Sequence, residues 1–540
     1  MQRYPQPAMP YRISRACDGC RFRKVKCSGV QPCSQCAHLG LPCAFSSASG
    51  KRKPGVRGRL VAQLRGKVNG SCSTASDMIH VLPSSTAGIT FHHRLLSRGG
   101  CGSTIPGFTS DFFVNLVSKF KELVYPLNPI IAPEEIRAAI TTMQDNMENV
   151  ALVCSFAAVT ISLTQISWRL HDDVAAQIAI LIQHSLKAHR WVDLAPVGND
   201  GMLGGLPVTI NRIVTCIFLE MAMIGLKRLD RSFAMLREAI TMIQTLKFHQ
   251  VSTSDATIGL AELARYRRLY WEVYIHERFS TMMSGYPCIM PPLQVDYPLT
   301  NAGVPSHVGV GYNRLIQLFL IIDEPLIAHW RALQDPGLER PEMTVEWIES
   351  KQAQLDEDEA GVVEAERVMR ASGGSGLMEL QHADLFITRL WLRTMIWQLA
   401  LSHGLLRSTP PQSTHDGMSL HFPAQRLSVQ LHSLVSQLES VASVGTHGSG
   451  ILQKLFEITS TVADVLALPL RHDPSEQDIL RVENFVFLVQ FLFSFERIQK
   501  QERDYLWEKL CVLKQLYPAV DFGDNSIHHD ALVLQPCRDM

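Results

Sequence analysis

The chain has 540 residues, of which 46% are hydrophobic and 19% are charged, a composition typical of a globular protein and not of a disordered or fibrous one. Its length exceeds what one hydrophobic core supports, so two or more structural units are expected. The formal net charge is zero, but residues 1–70 hold 14 Lys or Arg and one acid, Asp18, against 37 basic and 50 acidic residues in the remainder. A basic N-terminus of this kind predicts a polyanionic partner.

Two hydrophobicity features bear on the compartment. The first ten residues are polar and proline-rich and lack the apolar region of a secretory signal peptide. The longest charge-free run, residues 150–167, approaches membrane-spanning length but contains Ser, Thr and Gln, so it predicts a buried core helix. The sequence therefore predicts no membrane partner.

Six of the thirteen cysteines lie in one short window, with the spacing C-x2-C-x6-C-x5-C-x2-C-x6-C. They are Cys17, Cys20, Cys27, Cys33, Cys36 and Cys43. Thiolates at this density predict a soft metal ion, and Zn²⁺ is the usual ion for tetrahedral sulfur sites. Two tetrahedral sites need eight ligands, but each of the six cysteines supplies only one if it binds a single ion. Two of the cysteines would therefore have to bridge both ions. The spacing predicts a binuclear zinc cluster.

This stretch, ACDGCRFRKVKCSGVQPCSQCAHLGLPCAF, resembles the fungal Zn2Cys6 DNA-binding domain across all six cysteines. The resemblance implies that Cys17 and Cys33 bridge the two ions. It further implies that Cys20 and Cys27 complete one site and that the last two cysteines complete the other. His38 is surplus to this ligand set and is predicted to be a surface residue.

Basic and apolar residues alternate in the segment RFRKVK, between the second and third cysteines. Its predicted DNA contacts are Arg21, Arg23, Lys24 and Lys26. The resemblance implies a short helix in the major groove of double-stranded DNA, reading CGG-type triplets. Lys24 then matches the base-reading position, with Arg23 beside it, and Arg21 and Lys26 are predicted to contact phosphate. The alternative is a structural zinc knot whose basic residues form a solvated face.

Residues 46–109 are rich in Gly, Ser, Thr and basic residues without a sustained hydrophobic period, which predicts a flexible linker. The run KRKPGVRGR within it is a candidate nuclear-localisation signal, with a DNA-clamping arm or a solubilising run as alternatives. Its basic residues are Lys51, Arg52, Lys53, Arg57 and Arg59. Residues 60–68 provide at most one heptad, which is too few for a coiled coil. The sequence therefore does not predict dimerisation through this segment, and a homodimer is one alternative for the oligomeric state.

Helical periods dominate from residue 108 onward and predict a large all-α regulatory domain. Leu236, Ile240 and Ile243, for example, fall on one face of a helix. Further periodic segments begin near Asp111, Pro133, Asp172, Val208, Leu260, Tyr312, Leu377, Ala424, Ile451 and Asp478. The segment that starts at Ser350 is acidic and then glycine-rich, which predicts an exposed loop or helix end.

Two stretches of this region resemble the middle homology region of fungal zinc-cluster regulators. They are MAMIGLKRLDRSFAMLREAITMIQTLKFHQ, from Met221, and RYRRLYWEVYIHERFSTMMSGYPCIMPP, from Arg265. In the second, the aromatic pair, the acidic-basic pair and the Gly-x-Pro of the family are matched by Tyr270, Trp271, Glu277, Arg278, Gly285 and Pro287. Within the family, the basic linker and the length are most similar to the maltose-activator branch.

The predicted architecture is a small Zn2Cys6 binuclear cluster domain joined by a flexible linker to an all-α regulatory domain. Its parts are the DNA-binding domain at 12–45, the linker at 46–109, the helical middle homology region at 110–300, the helical C-terminal part at 301–515 and the tail at 516–540. The tail mixes acidic and hydrophobic residues, which indicates either a candidate activation segment or an ordinary terminus.

The predicted function is that of a nuclear, sequence-specific transcription factor for RNA polymerase II genes of carbohydrate utilisation or secondary metabolism. Its partners would be double-stranded DNA and transcription machinery or a coregulator. None of the motifs H-E-x-x-H, G-x-x-x-x-G-K-[ST], G-x-G-x-x-G and G-x-S-x-G occurs, so no catalytic residue is predicted. The alternatives are a helical scaffold or corepressor with a structural zinc knot, and an enzyme with an unrecognised helical active site.

Overall fold

The structure, a computed structural model, describes residues 16–22, 25–39, 43–45, 107–165, 168, 172–194, 205–246, 260–294, 303–335, 337–339, 341–411, 416–468 and 474–522. Contacts assign residues 1–43 and 104–540 to one unit and residues 44–103 to another, and all the elements below belong to the first. The nuclear-localisation candidate, the heptad at 60–68 and the tail from residue 523 lie outside the described residues.

All the regular elements of the described residues are helices, which confirms the predicted all-α body. They are α1 (Asp18–Phe22), α2 (Ser34–His38), α3 (Ser110–Lys119), α4 (Pro133–Thr142), α5 (Met147–Thr164), α6 (Asp173–Leu194), α7 (Ile210–Gly225), α8 (Leu229–Leu246), α9 (Leu260–Ser284), α10 (Ser306–Leu320), α11 (Glu324–Gln334), α12 (Val345–Ala371), α13 (Glu379–His403), α14 (Ser428–Gln437), α15 (Ala442–Gly445), α16 (Ser449–Leu466), α17 (Glu476–Phe493) and α18 (Lys500–Leu516). Two π-helical turns, Phe120–Val124 and Pro423–Leu427, continue α3 and lead into α14.

The helix α5 runs through the centre of the N-terminal half and packs against α6 and α7. Its first turn is capped by Asn146, whose side chain accepts a hydrogen bond of 2.9 Å from the amide of Glu148. Among the described residues it is the one helix with the length and composition to cross a membrane, but 72% of it is buried within the fold. A helix that is apolar on every face belongs in a protein core, so the prediction of a core helix is confirmed.

The helix α8 buries the face that its periodicity predicts. Leu236 and Ile240 are fully buried and Ile243 is 2% exposed, and this face packs against α7. Periodic spacing also located the starts of α4 at Pro133 and of α9 at Leu260. The helices α4 and α8 form because each carries an apolar stripe wide enough to be covered by its neighbours.

The acidic segment that starts at Ser350 is helical up to Ala371, so the prediction of a loop is wrong for its acidic part, whereas the helix does end at its glycine-rich part. It lies within the 27-residue helix α12, which begins behind the N-cap Thr344. Its buried hydrophobic residues recur every seven positions, at Ile348, Leu355, Val362 and Met369. This apolar stripe is narrow because charged side chains cover the rest of the helix surface. The helical period was therefore not recognised in the sequence of this segment.

The C-terminal half is organised around α13, which is buried over most of its length. It ends at Gly404, whose left-handed backbone (φ 71°) suits a residue without a Cβ. The helix α16 packs along α13, and α17 and α18 cover α16.

Candidate metal centre and DNA-binding surface

The six cysteines of the N-terminal window form two groups of four sulfur atoms, within each of which all sulfurs lie within 4.8 Å of one another. One group consists of Cys17, Cys20, Cys27 and Cys33, and the other of Cys17, Cys33, Cys36 and Cys43. Cys17 and Cys33 belong to both groups, and they are the two residues that the resemblance nominates as bridges. Six thiols thus form two complete four-sulfur sets.

The two halves of the window repeat the same backbone-to-sulfur hydrogen bonds. The amide of Cys20 donates to Sγ of Cys17 at 3.4 Å, and the amide of Cys36 donates to Sγ of Cys33 at 3.3 Å. The amides of Cys17 and Cys33 donate to the sulfurs ten residues further on, those of Cys27 and Cys43, at 3.4 and 3.1 Å. Such N–H donors orient the sulfurs and stabilise them as thiolates.

The sulfur separations suit tetrahedral zinc. A Zn–S distance of about 2.3 Å places two sulfurs of a tetrahedron about 3.8 Å apart. Sγ of Cys17 lies 3.6 Å from Sγ of Cys33, and Sγ of Cys20 lies 3.4 Å from Sγ of Cys33. All six cysteines are at most 9% exposed. Zinc bound here would fix the fold of a segment that has only two five-residue helices of its own.

The thiols differ in their acidity. Burial raises the pKa of Cys17 and of Cys20, and it raises the pKa of Cys36 to about 12. Burial also raises the pKa of Cys33, but hydrogen bonds from the Cys36 amide and from neighbouring thiols outweigh it and lower this pKa to about 6. Of the two cysteines that both groups share, Cys33 therefore carries the thiolate more readily than Cys17.

Only part of the basic segment lies among the described residues. Arg21 lies in α1, whose first turn contains Asp18, while Arg23 and Lys24 lie outside the described residues. The side chain of Lys26 is exposed. His38 is exposed and belongs to neither sulfur group, in agreement with its prediction as a surface residue.

The repetition in these hydrogen bonds is already visible in the cysteine spacing of the sequence. The pattern C-x2-C-x6-C occurs twice with an offset of 16 residues, and the matched hydrogen bonds follow that offset. By contrast, the amide of Gly29, which donates to Sγ of Cys27 at 3.4 Å, could not be found from side-chain patterns. Its backbone adopts the left-handed conformation (φ 79°), which favours glycine.

The two four-sulfur groups define a binuclear zinc-binding segment, and a large helical body follows it in the chain. Residues 15–52 match the Fungal Zn(2)-Cys(6) binuclear cluster domain. The chain is 21% identical over 459 residues to the Probable sucrose utilization protein SUC1 of Candida albicans, and this similarity covers 85% of the chain and 80% of that protein.

Two other similarities are confined to short segments. The chain is 44% identical over 71 residues to the Uncharacterized transcriptional regulatory protein C530.05 of Schizosaccharomyces pombe, covering 13% of the chain and 9% of that protein. It is 55% identical over 42 residues to the Quinic acid utilization activator of Emericella nidulans, covering 8% and 5%. Residues 15–52 thus match a binuclear zinc-cluster domain, and the relatives with the short matches are named as a transcriptional regulatory protein and as a utilization activator.

Proposed function

We propose that this protein is a nuclear, pathway-specific transcription factor that recognises CGG-type triplets and regulates RNA polymerase II genes of carbohydrate utilisation. The observation that carries the DNA-binding part is the pair of four-sulfur groups that share Cys17 and Cys33. In this proposal the two shared cysteines bridge both ions, and the other four each bind one. Residues 12–45 form the DNA-binding domain, and Lys51, Arg52, Lys53, Arg57 and Arg59 form the nuclear-localisation signal in the linker 46–109.

The pathway assignment is supported by the similarity that extends beyond the zinc cluster. The sucrose utilization protein is similar over 85% of the chain, so the likeness includes the helical body and not the cluster alone. This relative favours carbohydrate utilisation over secondary metabolism.

Within the proposed DNA-binding surface, the four basic residues have two different roles. Lys24, with Arg23 beside it, reads guanine acceptors in the major groove, where Lys and Arg give base-specific contacts. Arg21 and Lys26 neutralise phosphates, which contributes salt-dependent affinity without sequence information. The exposed position of Lys26 is compatible with the phosphate role.

The test is selection of sites from a random duplex pool by the zinc-loaded full chain, followed by titrations at several salt concentrations. We expect CGG triplets to be enriched. Lys24→Ala should weaken binding to the selected site by about 1–3 kcal/mol and relax base preference, whereas Lys26→Ala should weaken all sequences alike and reduce the salt slope by about one. Lys121→Ala, an exposed lysine of the helical body, is the matched control and should change nothing. Binding without sequence preference would contradict the proposal and favour the scaffold alternative.

A further inference from the structure

A cavity of about 140 Å³ lies inside the helical body, where side chains of α7, α9, α10, α13 and α16 converge. A single water molecule needs roughly 10–15 Å³ in the same measure, so the cavity has room for a small organic molecule. Several lining residues are only partly buried, among them His276, Phe279 and Ser449, and these connect the cavity with the protein surface. Neither the zinc cluster nor the basic segment contributes to its walls.

One wall carries two buried carboxylates that share an imidazole. Nδ1 of His276 lies 2.8 Å from a carboxylate oxygen of Glu220, and its Nε2 lies 3.3 Å from Glu272. The two glutamates are 1% and 2% exposed. Burial lowers the pKa of His276, but the charges and hydrogen bonds of both glutamates outweigh it and raise the pKa to about 10. The group therefore holds an imidazolium between two carboxylates.

Another part of the wall carries a buried ammonium group beside aromatic rings. Nζ of Lys454 lies 2.7 Å from the hydroxyl of Thr388 and 3.4 Å from Oδ1 of Asp384. It also lies 5.7 Å from the ring centre of Phe279 and 5.6 Å from that of Phe319, and both rings line the cavity. This wall thus combines hydrogen-bonding groups with apolar ring faces.

The first turn of α16 provides a third polar edge. The helix begins at Ser449 behind Gly448, which has no side chain to cap the first amides. Oγ of Ser449 is buried and has no hydrogen-bond partner within the part of the chain that the structure describes. A buried hydroxyl of this kind costs free energy unless a ligand or a water molecule pairs with it.

We infer that this cavity binds a neutral, polyhydroxylated molecule the size of one sugar ring. Its walls present carboxylate acceptors and amine, hydroxyl and amide donors around aromatic faces, and hydroxyl groups are the ligand groups that both donate and accept. Its two cationic groups, His276 and Lys454, are already paired with carboxylates, so the cavity offers no uncommitted charge for an anionic ligand. Ligand binding in this cavity does not rest on the proposed function. Only the role of the bound ligand as a signal for transcription rests on it.

The experiment is a calorimetric titration of the full chain, without DNA, with glucose, fructose, myo-inositol and mannitol, and with the charged analogues gluconate and glucosamine. Because no DNA is present, the result is independent of whether the proposed transcriptional function is right. We expect saturable binding of at least one neutral compound and at least tenfold weaker binding of both charged analogues. No binding of any neutral compound at millimolar concentration, or preference for a charged analogue, would overturn the inference.

Two variants locate the binding within the cavity. A Cβ on Gly450 would lie 3.6 Å from Cζ of Phe279, an ordinary contact, so Gly450→Ala should fold and bind normally. Gly450→Leu extends further into the cavity and should weaken binding at least tenfold, and Glu272→Gln should also weaken it. Glu364→Gln, at an exposed glutamate of α12, is the control for the charge change. Equal binding by Gly450→Leu and Gly450→Ala, with unchanged circular dichroism, would show that the ligand binds elsewhere and would overturn the assignment.

Discussion

Arg237 on α8 and Glu277 on α9 form an ion pair, with 2.8 Å between Nη1 and Oε1, across 40 residues of sequence. Glu277 is 1% exposed and also accepts hydrogen bonds from the amides of Ile289 and Met290, at 3.0 and 2.8 Å. Arg237 donates in addition to the carbonyl of Pro287. The ion pair and these hydrogen bonds therefore hold the segment after α9 against α8. They also connect the two stretches that resemble the middle homology region.

Removal of this arginine should destabilise the body. Arg237→Ala removes one of the two arginines that pair with the buried carboxylate of Glu277 and leaves Arg278 at 3.6 Å, so we expect the free energy of unfolding to fall by about 1–3 kcal/mol. Urea unfolding followed by tryptophan fluorescence measures the loss. The matched control is Arg367→Ala, whose pair with Glu364 has side chains that are 69% and 57% exposed, and which should leave unfolding unchanged. Equal losses in the two variants would contradict this account.

The helix α12 offers a second test, because its stability depends on the narrow stripe of buried residues. Leu355 is fully buried in that stripe, whereas Val363 on the same helix is 66% exposed. We expect Leu355→Ala to lower the free energy of unfolding by about 2–5 kcal/mol, since it leaves a cavity. Val363→Ala should change it by no more than about 0.5 kcal/mol. Similar changes in the free energy of unfolding of the two variants would show that burial of this face does not stabilise α12.

The sequence predicted those parts of the structure that repeat along the chain. The wide apolar stripe of α8 and the cysteine pairs follow from spacing, because helix geometry and metal coordination both act over a few residues. The stripe of α12 recurs only every seven residues among charged side chains, and it was missed. The contact of His276 with Glu220 joins residues 56 apart on two helices, and no local pattern encodes such a meeting.

The imidazole of His276 between the carboxylates of Glu220 and Glu272 predicts a dependence of stability on pH. The pKa of His276 rises from 6.5 to about 10 in the folded chain, so its stabilising contribution is complete below pH 6.5 and is lost as the pH rises through 10. The contribution is on the order of 5 kcal/mol, since one pKa unit corresponds to about 1.4 kcal/mol.

The measurement is urea unfolding of the wild type and of His276→Asn between pH 6 and 10. Other groups titrate in the same range, so the quantity compared is the difference in the free energy of unfolding between the two proteins. We expect that difference to shrink as the pH rises. His382→Asn, at an imidazole that is 40% exposed, is the control for the loss of an imidazole as such. A difference independent of pH would mean that His276 is not charged in the folded chain.

The sharing of sulfurs predicts unequal effects of two cysteine substitutions on zinc content. Cys17 belongs to both four-sulfur groups, whereas Cys43 belongs to one. Cys43→Ser leaves the group of Cys17, Cys20, Cys27 and Cys33 complete, so this variant should keep one of the two zinc ions. Cys17→Ser removes a ligand from both groups and should lose both ions.

Zinc per chain is measured by mass spectrometry after equilibration with a competing chelator. Cys511→Ser, at a partly buried thiol of α18, is the control and should keep two ions. Because α1 and α2 are short and the helical body has its own core, the circular dichroism of all three variants should stay close to that of the wild type. The same zinc content in Cys17→Ser and Cys43→Ser would contradict a shared sulfur, and it would require two independent sites that six cysteines cannot complete.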